Sequence, residues 1–158
     1  MAQIKKDTIG PVTLEQLKNH LHMFTDDFDW DLDMKIRAAV AKAESFINSR
    51  IWRCVITESV PFSNSIAVSD PTAQVNEVKV DGVPVNFTFR KGVIQVDGQG
   101  EELEYTITAG YTEEDCPVDI QMAILMIAAK FFNNPVDSIE NLPSASQNLL
   151  HPYRNYCS

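Results

Sequence analysis

Pro117 followed by VDIQMAILMIAAKFF at residues 118–132, closed by Asn133, Asn134 and Pro135, is the stretch on which the fold turns. Ile120, Ala123, Ile124, Ile127, Ala128 and Phe131 fall on one helical face, and Met122, Leu125, Met126 and Phe132 on the others. Pro117 suits the first helical position, where its missing N–H costs nothing, so the spacing predicts a helix over 117–133. A helix apolar all round must be covered all round. The chain has 158 residues, one ordinary domain with enough material for a core. Either the rest of that domain or neighbouring subunits must do the covering, which points to assembly rather than to chemistry.

The natural partner of this helix lies upstream. Leu32, Ile36, Ala39, Val40, Ala43, Phe46, Ile47 and Ile51 recur at three- and four-residue steps, predicting a helix over about 30–50. Its small residues Ala38, Ala39, Ala41 and Ala43 permit close approach of another helix. Ile36, Val40, Phe46 and Ile47, facing Ile124, Ile127 and Phe131, are the expected packing residues of the core or of subunit contacts. Each such burial is worth roughly 1.5–3 kcal/mol. A shorter helix over 13–22 opens with a capping box: Thr13 can accept from the Gln16 N–H while the Gln16 side chain reaches back, and Val12 can staple onto Leu17.

Between these helices stand Asp26, Asp27, Asp29, Asp31 and Asp33. A calcium loop beginning at Asp27 would need Gly at its sixth position and Glu at its twelfth, where this chain has Leu32 and Ala38. The cluster reads better as acidic residues at a helix N-terminus, where the macrodipole favours them.

From about residue 53 to 111 the period changes from helical to two. Val55–Val60, Ser65–Val68, Glu77–Val80, Val83–Phe89, Val93–Val96 and Leu103–Ala109 read as strands. Asp81-Gly82 and Lys91-Gly92 read as two-residue hairpin turns. Leu103, Tyr105 and Ile107 face one way, with Glu102, Glu104, Thr106 and Thr108 facing the other. The expected fold is therefore a single α+β domain spanning 1–158, mainly helical: a bundle of three to four helices with a small antiparallel β-sheet inserted between the second and third. A C-terminal arm over 135–158 follows, in which VDSIENLPSASQ is polar and flexible and Ser144 caps a last short helix over 144–150. The tail LLHPYR supplies the candidate partner-interface residues Leu149, Leu150, Pro152, Tyr153 and Arg154, though it reads equally as a packed or disordered terminus.

The chemistry the chain lacks is as informative. Thirteen basic against 22 acidic residues give a formal charge of -9, which opposes nucleic-acid binding because phosphate contacts need a basic footprint. No stretch reaches the roughly 18 uninterrupted apolar residues of a membrane span, and MAQIKKDTIG has no signal-peptide core, so a cytosolic origin is expected. Cys54, Cys116 and Cys157 are scattered and unpaired, reading as free thiols. His20 and His22 diverge on a helix and cannot share a metal, and His151 sits beside Pro152. Neither a nucleophile elbow, a zinc helix nor a phosphate loop is present. No catalytic residue, metal ligand or cofactor is expected, and Trp30 and Trp52 read as core or interface anchors.

VTLEQLKNHLHMFTDDFDWDLDMKIRAAVAKAESFINSRIW at 12–52, TITAGY at 106–111, CPVDIQMAILMIAAKFFNN at 116–134, and NLP with LLHPYR occur in an order that resembles the head-to-tail connector (adaptor) family of tailed bacteriophages. The resemblance covers essentially the whole chain; no single motif is diagnostic, and the co-occurrence in order is the signal. It implies a structural virion protein, about a dozen copies in a closed ring, assembled in the host cytoplasm and sited at the virion neck. The ring would dock on the portal protein, join the DNA-filled capsid to a tail or neck completion protein, and let DNA pass without specific binding. The resemblance also assigns portal or neighbour contacts to the arm over 141–154. The chain departs from the pattern in a tail running on to Ser158 and a shorter sheet insert than some relatives.

Two other classes remain open from the residues. A monomeric module could bind a peptide through the inserted sheet, and a metal-dependent hydrolase could use Asp26 to Asp33.

Overall fold

The computed structural model describes residues 2–134 and 142–156. Four α-helices and eight strands follow in the order β1 (Gln3–Lys6), α1 (Leu14–His20), α2 (Asp29–Ile47), β2 (Cys54–Pro61), β3 (Ser65–Ala67), β4 (Gln74–Val80), β5 (Val83–Pro84), β6 (Thr88–Arg90), β7 (Val93–Gln95), β8 (Glu102–Ala109), α3 (Val118–Asn133) and α4 (Ser144–Leu150), with a 3-10 turn at His151–Tyr153.

The mainly helical bundle expected from the sequence is not what forms. The strands build two antiparallel sheets, one ordered β1-β2-β8-β4-β5 and one ordered β3-β7-β6. They enclose a hydrophobic core of their own, made of Val78, Ile94, Val96, Leu103, Tyr105 and Ile107. The sheets are thus half of the architecture rather than an insert. Three-residue strands carry too little periodicity to reveal that a second sheet closes over the first.

The local chemistry of the strands explains their course. Asp81 and Gly82 have φ of 49° and 82°, and Lys91 and Gly92 of 51° and 73°; paired positive φ values match the right-handed strand twist and close tight hairpins. Val83–Phe89 does not run as one strand. It stops at Pro84 on a sheet edge, a position that tolerates a missing N–H, and resumes as β6 in the other sheet. The expectation omitted β1, whose four residues are all exposed and so show no burial alternation; Lys5 and Lys6 guard this edge against further pairing.

The helical half has a separate core in which Leu17, Leu32, Ile36, Ala39, Val40, Ala43, Ile47, Ile120, Ala123, Ile124, Ile127 and Leu150 are buried. The Thr13 capping box forms as read, with Gln16 N donating to Thr13 Oγ1 at 3.2 Å and Thr13 N to Gln16 Oε1 at 2.9 Å. α2 and α3 pack together, with α1 and α4 against both. Of the four alanines expected at the α2 contact, Ala39 and Ala43 are buried whereas Ala38 and Ala41 face outward. Pro117 is the residue before α3 rather than its first turn, and Pro143, not Ser144, precedes α4.

Polar contacts lock the two halves together. Glu44 Oε2 accepts from the Ile51 and Trp52 amides at 2.8 and 3.2 Å where α2 hands over to β2. Asp70, in the β3–β4 connection, accepts from Arg50 N at 2.8 Å and from Thr72 Oγ1 at 2.6 Å. Thr72 Oγ1 in turn accepts from Gly110 N at 2.8 Å at the end of β8. Gly110 itself has φ of 91°, and any Cβ there would lie 2.7 Å from the Trp52 carbonyl oxygen.

Candidate interaction surface

The tail lies on its own chain. Leu150 is fully buried, Leu149 and Tyr153 pack partly buried against the helical core, and Pro152 and Arg154 are exposed. The Arg154 guanidinium sits over the Phe46 ring at 5.0 Å and over Tyr156 at 5.6 Å. Asn155 N donates to Ile47 O at 2.6 Å, and its side chain donates to Ser69 O at 2.8 Å. Among the expected partner residues Leu150 is thus withdrawn from the surface, Pro152 and Arg154 face outward, and Leu149 and Tyr153 do so in part. The arm expected over 135–158 begins with 135–141, which lie outside the described residues, as do Cys157 and Ser158.

The helix-packing residues fall in the interior. Ile36, Val40, Ile47, Ile124 and Ile127 are buried, while Phe46 and Phe131 are half-buried beside them. Trp52 is buried, donating from Nε1 to Asp7 O at 2.8 Å, with Arg37 over its ring at 5.6 Å. Trp30 is the opposite case, 77% exposed at the start of α2.

Four of the five acidic side chains in the cluster, all but Asp27, pair with basic neighbours. Lys18 Nζ bridges Asp26 Oδ1 at 2.6 Å and Asp29 Oδ1 at 3.0 Å; Asp31 pairs with Lys35 at 3.5 Å and Asp33 with Arg37 at 3.0 Å. The hydrogen bond to Lys18 holds the Asp26 carboxyl below its ordinary range and raises Lys18 correspondingly. Among the described residues no three His, Cys, Asp or Glu side chains gather as metal ligands would. Burial pushes the Cys116 thiol up to about 12 and the Cys54 thiol upward as well, so both stay protonated and unreactive near neutrality. His20, His22 and His151 are exposed.

A cleft of about 830 Å³ opens between α2 and the sheets, lined among others by Glu44, Asp70, Ile56, Glu58 and Tyr105. At its floor Tyr105 Oη donates to Glu58 Oε2 at 2.5 Å, and burial together with that carboxylate pushes the phenol up to about 12. A phenol held neutral this firmly is a structural donor rather than a base or nucleophile.

What the surface does expose is apolar. Phe24 is 90% exposed, Phe28 47%, Trp30 77% and Met34 46% along the entry and outer face of α2, and Val118 is 71% and Met122 39% exposed on α3. Grouped large side chains of this kind mark contact surfaces. Of these only Trp30 is expected as an anchor from the sequence; spacing alone shows two apolar helices without showing which rows face out.

No protein-family model and no curated protein matches this sequence. Solved structures do match in fold. A chain in the neck of the empty gene transfer agent (GTA) particle, computed with C6 symmetry, superposes with a TM-score of 0.75 at 18% identity, over 99% of this chain and 97% of that one. A chain in the neck of the native GTA particle, computed with C12 symmetry, gives the same values. A chain in the virion of the native GTA particle matches with a TM-score of 0.68 at 16% identity and the same coverage. Among the described residues no helix is long and apolar enough to cross a membrane.

Proposed function

We propose that this chain is a structural protein of the neck of a tailed phage or phage-like particle. It closes into a ring of subunits, docks on the portal, and joins the filled capsid to the tail. The observation that carries this reading is the end-to-end fold match to neck chains, 99% of this chain against 97% of theirs. Strong acidity supports it: a formal charge of -9 makes the surface a poor trap for DNA moving past it. The apolar rows on α2 and α3 supply material for subunit contacts. The role is mechanical rather than catalytic: Asp26, Asp29, Asp31 and Asp33 pair with lysine or arginine and the buried thiols are held protonated. Pro152, Tyr153 and Arg154 remain candidates for portal contact, on a tail seated against the subunit rather than swinging free.

The test is assembly without this chain. Particles made in its absence should accumulate as DNA-packed heads and separate tails, visible by electron microscopy, and purified protein should restore joining. Complete particles formed in its absence would contradict the proposal.

A further inference from the structure

Two outward rows on the helical half have no partner within the chain. On α2 the row runs Trp30, Met34, Ala38, Ala41, all exposed, large at its N-terminal end and small further on; on α3 it runs Val118 and Met122, exposed, then Met126 and Ala129, half-buried, so its outward bulk also lies at its N-terminal end. Each row spans twelve residues, about 16 Å of helix from first to last. Laid antiparallel, the bulky end of each meets the small end of the other. Laid parallel, the two exposed large ends would crowd one another, Trp30 on Val118 and Met34 on Met122, while Ala41 would face Ala129.

Charge favours the same direction. Glu113, Glu114 and Asp119 stand exposed at the N-terminal end of α3, and Lys130 at its C-terminal end; α2 has Asp27 exposed at its start, with Lys42 and the nearby Lys6 toward its end. No ion pair engages these seven residues among the described residues. The antiparallel arrangement sets Lys42 and Lys6 toward the acidic end of α3, and Asp27 toward Lys130. Within the subunit the Phe28–Phe132 ring contact at 5.8 Å sets the start of α2 beside the end of α3.

We infer that the partner of the α2 row is the α3 row of a second copy, a head-to-tail contact whose repetition closes a ring. This rests on the ring reading above, and adds which surfaces meet and in which direction.

Trp30→Lys blocks the α2 row and Val118→Lys the α3 row, each placing a lysine against a basic region of the next copy. Both sites are more than two-thirds exposed, so circular dichroism should report folded protein. By analytical ultracentrifugation each variant alone should stay monomeric under conditions where the wild type assembles. An equimolar mixture should form a one-to-one dimer and go no further, because each variant keeps one good face. Wild-type-like assembly of either variant, or a mixture that stays monomeric, would overturn the inference alone. A wild-type chain that remains monomeric at every concentration and on a purified portal would overturn the ring reading, and this contact with it.

Discussion

Gly10 has the edge of the Trp52 indole where a side chain would be: a Cβ there would lie 2.7 Å from Cη2. Gly10→Ala should therefore cost about 1–3 kcal/mol, the usual penalty for overpacking, read as a lower urea midpoint with unchanged slope. Ser146 is fully buried on α4, and its Oγ has no hydrogen-bond partner among the described residues. Ser146→Ala removes that stranded hydroxyl and should leave stability equal or raise it by about 1 kcal/mol. Tyr105 links stability to alkaline pH. Its folded value of about 12 lies above the ordinary 10.0, so the folded state holds this proton more tightly than the unfolded chain. The stabilisation is whole below pH 10 and is lost as pH rises toward 12. Thermal melts across that window should fall less steeply for Tyr105→Phe than for the wild type.

At the level of elements, Glu44 shows what spacing conceals. On a helical wheel it looks like a surface charge among Lys42 and its neighbours, yet it accepts the first two amides beyond the turn that leaves α2. Glu44→Ala should cost roughly 1.5–3 kcal/mol, as for hydrogen bonds to a charged group, and Glu44→Gln should recover part because it keeps an acceptor. The capping box of α1, both positive-φ hairpins and the inward row of β8 were legible because each depends on residues within a few positions of one another. β1, the break after Pro84 and the seating of α4 were not. Each is decided by a surface brought in from elsewhere: β2 for the edge strand, β7 for β6, and α3 for the short polar helix whose Leu150 is buried. The same holds for the contact surface. The sequence marked α2 and α3 as apolar, but only packing separates Ile36 and Ile124, turned inward, from Met34 and Val118, turned out.

For the whole molecule, two cores in 158 residues leave the helical half with unfinished business on its outside. Trp30, Met34, Val118 and Met122 stay exposed on α2 and α3, so the apolar surface that first suggested assembly is only partly consumed by folding. A closed ring consumes the remainder without leaving an end. The most direct test is light scattering after size exclusion on the purified protein over a range of concentrations, alone and with a purified portal ring, with images of any large species. The account predicts a particle of fixed mass, an integer multiple of 17.7 kDa, with a central opening, formed alone or on the portal. A chain that remains a monomer at every concentration and does not co-migrate with the portal would contradict it.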